Sequence, residues 1–232
     1  MRVRHNLPLP APRGLGLTKT LLILGGLFGS SAACSEPADA PEASSDWPAA
    51  TILAVDDHPI EADEVDRVAS WITLVEPKAT PLHLRRLALT NTIFPTRAAR
   101  VLSGDAWRAA RSEAEQMLAR LNAGEDVGPH PAFAGSWQEL GFESFGAALQ
   151  SGPGRWSPVF ETAGSFHIVQ LVDTSEDASV LEIVRIDFPY LSPEEGAELE
   201  AAIDRTRLTI VDESWREAVP LSWVYRMQGE SS

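Results

Sequence analysis

The chain has a single cysteine, Cys34, and it stands directly behind the apolar run Leu21-Leu22-Ile23-Leu24-Gly25-Gly26-Leu27-Phe28 and the small residues that follow. One cysteine excludes any intrachain disulfide, so whatever folds after it must be held by a hydrophobic core alone. The composition permits this, with 44% hydrophobic and 22% charged residues among 232. All 33 acids follow Cys34, whereas Arg2, Arg4, Arg13 and Lys19 precede it. The remainder therefore carries fifteen basic against 33 acidic residues, a net charge of -18. Such a surface repels phosphate backbones, so nucleic acid is not an expected partner.

Basic residues, a short apolar run and then small residues form an export signal. The run is far shorter than the roughly 20 residues needed to span a bilayer. Its end, Ser31-Ala32-Ala33-Cys34, resembles a bacterial lipobox, with Ser31 where Leu is usual. That resemblance implies cleavage after residue 33 and lipidation of Cys34, anchoring the protein at a membrane facing the periplasm or cell exterior. Residues 34–48, rich in Ser, Pro, Ala and acids, form a solvated tether.

Beyond the tether the pattern is mixed. Thr51-Ile52-Leu53-Ala54-Val55 predicts a strand, and Asp56-Asp57-His58-Pro59 a turn. Val65, Val68, Ile72 and Val75 recur at helical spacing up to Pro77. A second helix starts at Thr80-Pro81, and Pro95 should end or kink it. Asp105 caps a third, whose face holds Trp107, Ala110, Ala114, Met117, Leu118 and Leu121 before Gly124. A helical Phe142–Leu149 segment follows, then strands near Trp156–Phe160 and Phe166–Val172. Val180–Phe188 predicts a strand, Ser192-Pro193-Glu194-Glu195 a capped helix, and Leu208–Val211 a last strand. The fold class is α+β.

Gly135-Ser136-Trp137, Phe142-Glu143-Ser144-Phe145-Gly146-Ala147-Ala148-Leu149, Gly152, Trp156-Ser157-Pro158-Val159 and Gly164-Ser165-Phe166-His167-Ile168-Val169 occur in that order. Together they resemble the C-terminal half of a parvulin-type (PpiC-type) peptidyl-prolyl isomerase domain. The helix from Trp107 into Gly124-Glu125-Asp126 is similar to that family's first helix, and residues 49–103 look like the helical opening of SurA-like exported chaperone-isomerases. The resemblance implies a parvulin-like domain at 104–175 with an antiparallel sheet, an N-terminal helical segment at 49–103 and an extension at 176–232. Its implied catalytic residues are His167 and Thr162, with Phe142, Leu149, Trp156 and Phe166 binding substrate. Its implied activity is isomerisation of X-Pro bonds in unfolded or extended exported polypeptides, without a cofactor or metal.

The family's opening strand carries a histidine, and the corresponding stretch here, Arg97-Ala98-Ala99-Arg100-Val101-Leu102, has none. Ser165-Phe166 also stands where a single residue usually separates glycine from histidine, which predicts a bulge that re-aims His167. A degenerate module that binds extended Pro-containing segments without catalysis is the alternative. Each site residue also has a plain structural use. Phe142 and Leu149 share one helix face, as core residues do, His167 suits a satisfied buried histidine, Trp156 suits a core, and Thr162 can bond its own backbone. The five histidines show no paired metal spacing.

Overall fold

The computed structural model describes residues 47–227. The export signal, Cys34 and the tether as far as Asp46 lie outside the described residues.

The first elements are a hairpin, β1 (Thr51–Val55) and β2 (His58–Glu61), then α1 (Ala62–Val75) and α2 (Pro81–Ala88). Thr80 caps α2 by accepting from the His83 N–H at 3.3 Å. Pro95 neither ends the helical run nor leaves it regular. The chain passes through a π-helical turn at Leu89–Ile93 into α3 (Phe94–Ser103), with the Phe94 N–H reaching back five residues to the Leu89 carbonyl. Widening the turn just before proline absorbs its missing donor and ring clash. The stretch compared with the family's opening strand is therefore helix, not strand.

Next come α4 (Ala106–Asn122), β3 (Ala132–Gly135), α5 (Trp137–Leu140) and α6 (Phe142–Ser151). Asp105 takes the N-cap position of α4 but makes no side-chain cap bond, and its carboxylate pairs instead with Arg108. The loop after α6 leads to β4 (Phe160–Thr162) and β5 (Ser165–Thr174). Of the strand expected at Trp156–Phe160, a bridge from Trp156 to Gln170 and Phe160 at the start of β4 remain, because Pro158 between them has no N–H for a ladder. The last elements are β6 (Leu181–Pro189), α7 (Pro193–Arg205), β7 (Leu208–Ile210), a 3-10 turn at Glu213–Ala218 and α8 (Leu221–Arg226).

Two antiparallel sheets result, so the architecture is α+β. One has the order β2-β1-β7 and the other β3-β6-β5-β4. The larger sheet is covered on both faces. Phe166, Ile168, Ile186 and Phe188 point to one face and pack on Ala110 and Ala114 of α4. Val169, Leu171, Leu181 and Ile183 point to the other and join α1, α3 and α6 in the main core. This two-sided burial explains why β5 reads as a nearly continuous apolar run instead of a clean alternation. The described part of the C-terminal stretch, residues 176–227, completes both sheets, with β6 beside β5 and β7 beside β1. The described residues pack as one compact unit.

Candidate functional site

His167 alternates with Phe166 and Ile168 along β5, so its ring falls on the face that α6 covers. β4 and β5 meet in a two-residue turn, Ala163-Gly164, where Gly164 takes φ +97°. A side chain at Gly164 would be strained there. The ladder is regular, pairing Phe160 with His167, Glu161 with Phe166 and Thr162 with Ser165. The expected bulge before His167 is absent, because the turn absorbs the extra residue.

That register places three polar groups in a row. Thr162 Oγ1 lies 2.7 Å from His167 Nε2, and His167 Nδ1 lies 2.7 Å from Asp187 Oδ1. Asp187 sits directly opposite His167 on β6. A carboxylate on Nδ1 fixes the tautomer of the neutral ring: Nδ1–H donates to Asp187, and Nε2 then accepts from the Thr162 hydroxyl. Arg185 Nε is 2.8 Å from the same Asp187 oxygen but off the hydrogen-bond direction, so it contributes charge only. Burial acts to raise the Asp187 carboxyl, yet the hydrogen bond and charge of His167, followed by Arg185, hold it below the ordinary carboxylate range. The imidazole is 8% exposed and packs against the Phe160 ring at 5.2 Å between centroids.

Over this face lies α6, clamped to α1. Trp71 Nε1 donates to Gln150 Oε1 at 2.8 Å, and Gln150 Nε2 donates to Ser70 Oγ at 2.8 Å. The Trp71 ring meets Phe160 edge-on at 5.6 Å. Glu143, in the first turn of α6, accepts from the Thr92 hydroxyl at 2.8 Å. Burial pushes its carboxyl up, opposed by its own backbone N–H, by Thr92 and by the charge of His167.

The residues expected from sequence are split. His167 and Thr162 do meet. Phe142 and Leu149 pack half-buried against the main core on that side. Phe166 and Trp156 belong to the core on the opposite face, where the Phe166 ring lies 5.5 Å from Tyr190. They do not share a pocket with His167, because strand alternation sends Phe166 the other way. Asp187 was missed. Its signal is an acid at an inward position of Leu181-Glu182-Ile183-Val184-Arg185-Ile186-Asp187, legible only once the register with β5 is known.

Two cavities flank the outer edge of β4. One, of about 480 Å³, is polar and reaches Thr92, Thr96, Arg97, Arg100 and Glu161. The other, of about 340 Å³, is walled by Trp71, Trp156, Pro158 and Phe160, with Arg67 and Arg155 at its rim. Arg67, Trp71, Val159 and Phe160 line both, so they form one trough. His167, Thr162 and Asp187 line neither. Among the described residues no three His, Cys, Asp or Glu side chains converge as metal ligands. No family model matches the chain, and searches of curated proteins and of solved structures give no match either.

Proposed function

We propose that this is a membrane-tethered, parvulin-like module that holds extended, Pro-containing segments of exported polypeptides without accelerating X-Pro rotation. The observation that carries this reading is the state of His167. Both ring nitrogens are satisfied within the protein, by Asp187 and Thr162, and neither of the two cavities beside β4 is lined by these residues. Rotation about X-Pro faces a barrier of about 18–20 kcal/mol. Lowering it takes a dry pocket around the prolyl amide and donors aimed at the twisted group. A buried imidazole with both ring nitrogens engaged by protein groups has no free donor to give. Open space lies instead beside it, along the β4 edge.

The second reading is a working isomerase, and the Asp187–His167–Thr162 chain favours it. These groups stand in line on one sheet face, with the half-buried Glu143 on α6, and breathing of α6 would expose them. Cis-trans exchange in an Ala-Pro model peptide, followed by NMR with the full chain and its His167→Ala variant, separates the two. The holding module shifts peptide resonances on titration and leaves exchange at its uncatalysed rate. Acceleration that falls in His167→Ala overturns it in favour of the isomerase. The tether is part of the proposal: labelled fatty acid incorporated during expression is retained by the native chain and lost in Cys34→Ala.

A further inference from the structure

The aromatic cavity of about 340 Å³ differs from the rest of the surface in its charge. After Cys34 the chain carries fifteen basic residues against 33 acidic ones. Nine of the fifteen pair with carboxylates. Arg67 on α1 and Arg155 in the loop after α6 are exposed and have no such partner among the described residues. Both line this cavity, and no acid does. Asp63, one turn before Arg67, lines only the polar cavity next to it. Two unpaired cations with no acid beside them set up a local positive potential on an otherwise acidic protein, and that potential draws an anion.

The walls restrict what carries the negative charge. Trp71 and Phe160 are each 4% exposed and close the cavity, while the half-buried Trp156 and the exposed Pro158 offer it open apolar surface. The uncharged polar side chains in the lining are already engaged. Gln150 accepts from Trp71 and donates to Ser70, and Ser151 Oγ donates to the Ala147 carbonyl. A hydrated phosphate would gain from the arginines but not from these walls, whereas a carboxylate joined to an apolar group uses both.

A polypeptide carries such a group at its C-terminal residue. The surroundings suit a chain better than a free acid, because the cavity opens into the polar one through Arg67, Trp71, Val159 and Phe160, which line both. A free acid would fill the first cavity alone. Glu61 and Asp63 in the polar cavity repel a carboxylate, which sets the direction: the terminus lies at the arginines and the chain leaves past the acids. Resting on the holding function proposed above, we infer that the aromatic cavity takes the C-terminal residue of an exported polypeptide. Its apolar side chain lies against Trp156 and Pro158, and its carboxylate meets Arg67 and Arg155.

Calorimetric titration of the full chain with Ac-Thr-Ala-Pro-Ala-Phe-OH and with its amide, Ac-Thr-Ala-Pro-Ala-Phe-NH2, tests this. The acid binds, and the amide, which lacks only the terminal charge, binds about tenfold more weakly. Arg67→Gln and Arg155→Gln change exposed side chains without ion pairs, so both variants melt with the native chain, and each brings the acid toward the amide. Added salt narrows the same gap. Ending the acid in Ser instead of Phe weakens it by a similar factor. Equal binding of acid and amide, or a gap that survives both arginine variants, overturns this site and leaves the holding function standing. 3-Phenylpropanoate binding as tightly as the peptide acid overturns the polypeptide as the source of the carboxylate. If neither peptide binds, this site and the holding function both fall.

Discussion

Removing the charge from Asp187 tests whether the row of polar groups behaves as one unit. The bond from His167 Nδ1 is charge-assisted, a class that contributes about 1.5–3 kcal/mol net. The Asp187 side chain is 45% exposed, so screening reduces this toward about 1 kcal/mol. Asp187→Asn should therefore lower the melting temperature by about 2–4 °C, the usual response of a domain this size to 1 kcal/mol. Thr162→Val keeps the shape and strips the donor from Nε2 of a side chain only 10% exposed, which costs about 1–3 kcal/mol. The double variant should cost less than the two single losses together, because the ring can change tautomer once Asp187 no longer fixes it. Nitrogen-15 NMR of the imidazole reads the tautomer directly, with Nδ1 protonated in the native chain. The acid limb supplies a further check. A carboxyl held below its ordinary value contributes stability above about pH 3.8 that is lost as pH falls through its folded value. Asp187→Asn should flatten that limb. Unchanged stability in Asp187→Asn, together with a native imidazole that carries its proton on Nε2, would refute this coupling and leave His167 as ordinary core.

Two other perturbations probe the surroundings. A Cβ built on Gly146 would lie 2.5 Å from Trp71 Cβ and Cγ. Gly146→Ala should therefore force α1 from α6 and cost about 1–3 kcal/mol from overpacking, against a helix-propensity gain of up to about 1 kcal/mol, so denaturant midpoints should fall. Burial, aided by Arg100 and Arg97 and opposed by Asp57, lowers the His58 pKa from 6.5. The unfolded chain then binds a proton that the folded one refuses, so stability should hold above about pH 6.5 and decline below it, a decline missing in His58→Gln melts.

Local elements were legible where a residue acts through its own neighbours in sequence. Thr80-Pro81 and Ser192-Pro193 start helices because their caps and fixed φ angles need nothing distant. The helix from Ala106 followed from its apolar stripe even though its cap makes no side-chain bond. Less visible was Ala132–Gly135. Phe133 and its neighbours lie largely exposed at a sheet edge, so no buried face imposes an alternation. Ser136-Trp137-Gln138-Glu139 does carry a capping box, and the Glu139 carboxylate is held low by its bonds to Ser136, but a single turn of helix is too short to show a period.

The site was half legible, for a reason of topology. His167 and Thr162 are five residues apart across a tight turn, so a local motif contains both. Asp187 lies twenty residues on, across a turn at 175–180 whose bonds from Ser175 and Ser179 to Asp177 help set where β6 pairs but form no motif that names the partner. The register is decided by burial on both faces at once. Ile186 and Phe188 must meet Phe166 and Ile168 under α4, while Leu181 and Ile183 must reach the core beneath α6. Any one-residue slip would exchange those sets. Once both are satisfied, position 187 has one place left to point, toward the ring of His167. Arg97–Leu102, the stretch that corresponds to the family's histidine-bearing strand, is helix and gives His167 no polar partner. The strand on the other side of β5 from β4 comes after it in the chain, and brings a carboxylate that engages His167 Nδ1. On this arrangement, the loss of a donor at His167 and the strand order are one fact, because the residue that silences the ring is the one that the β5–β6 register places opposite it.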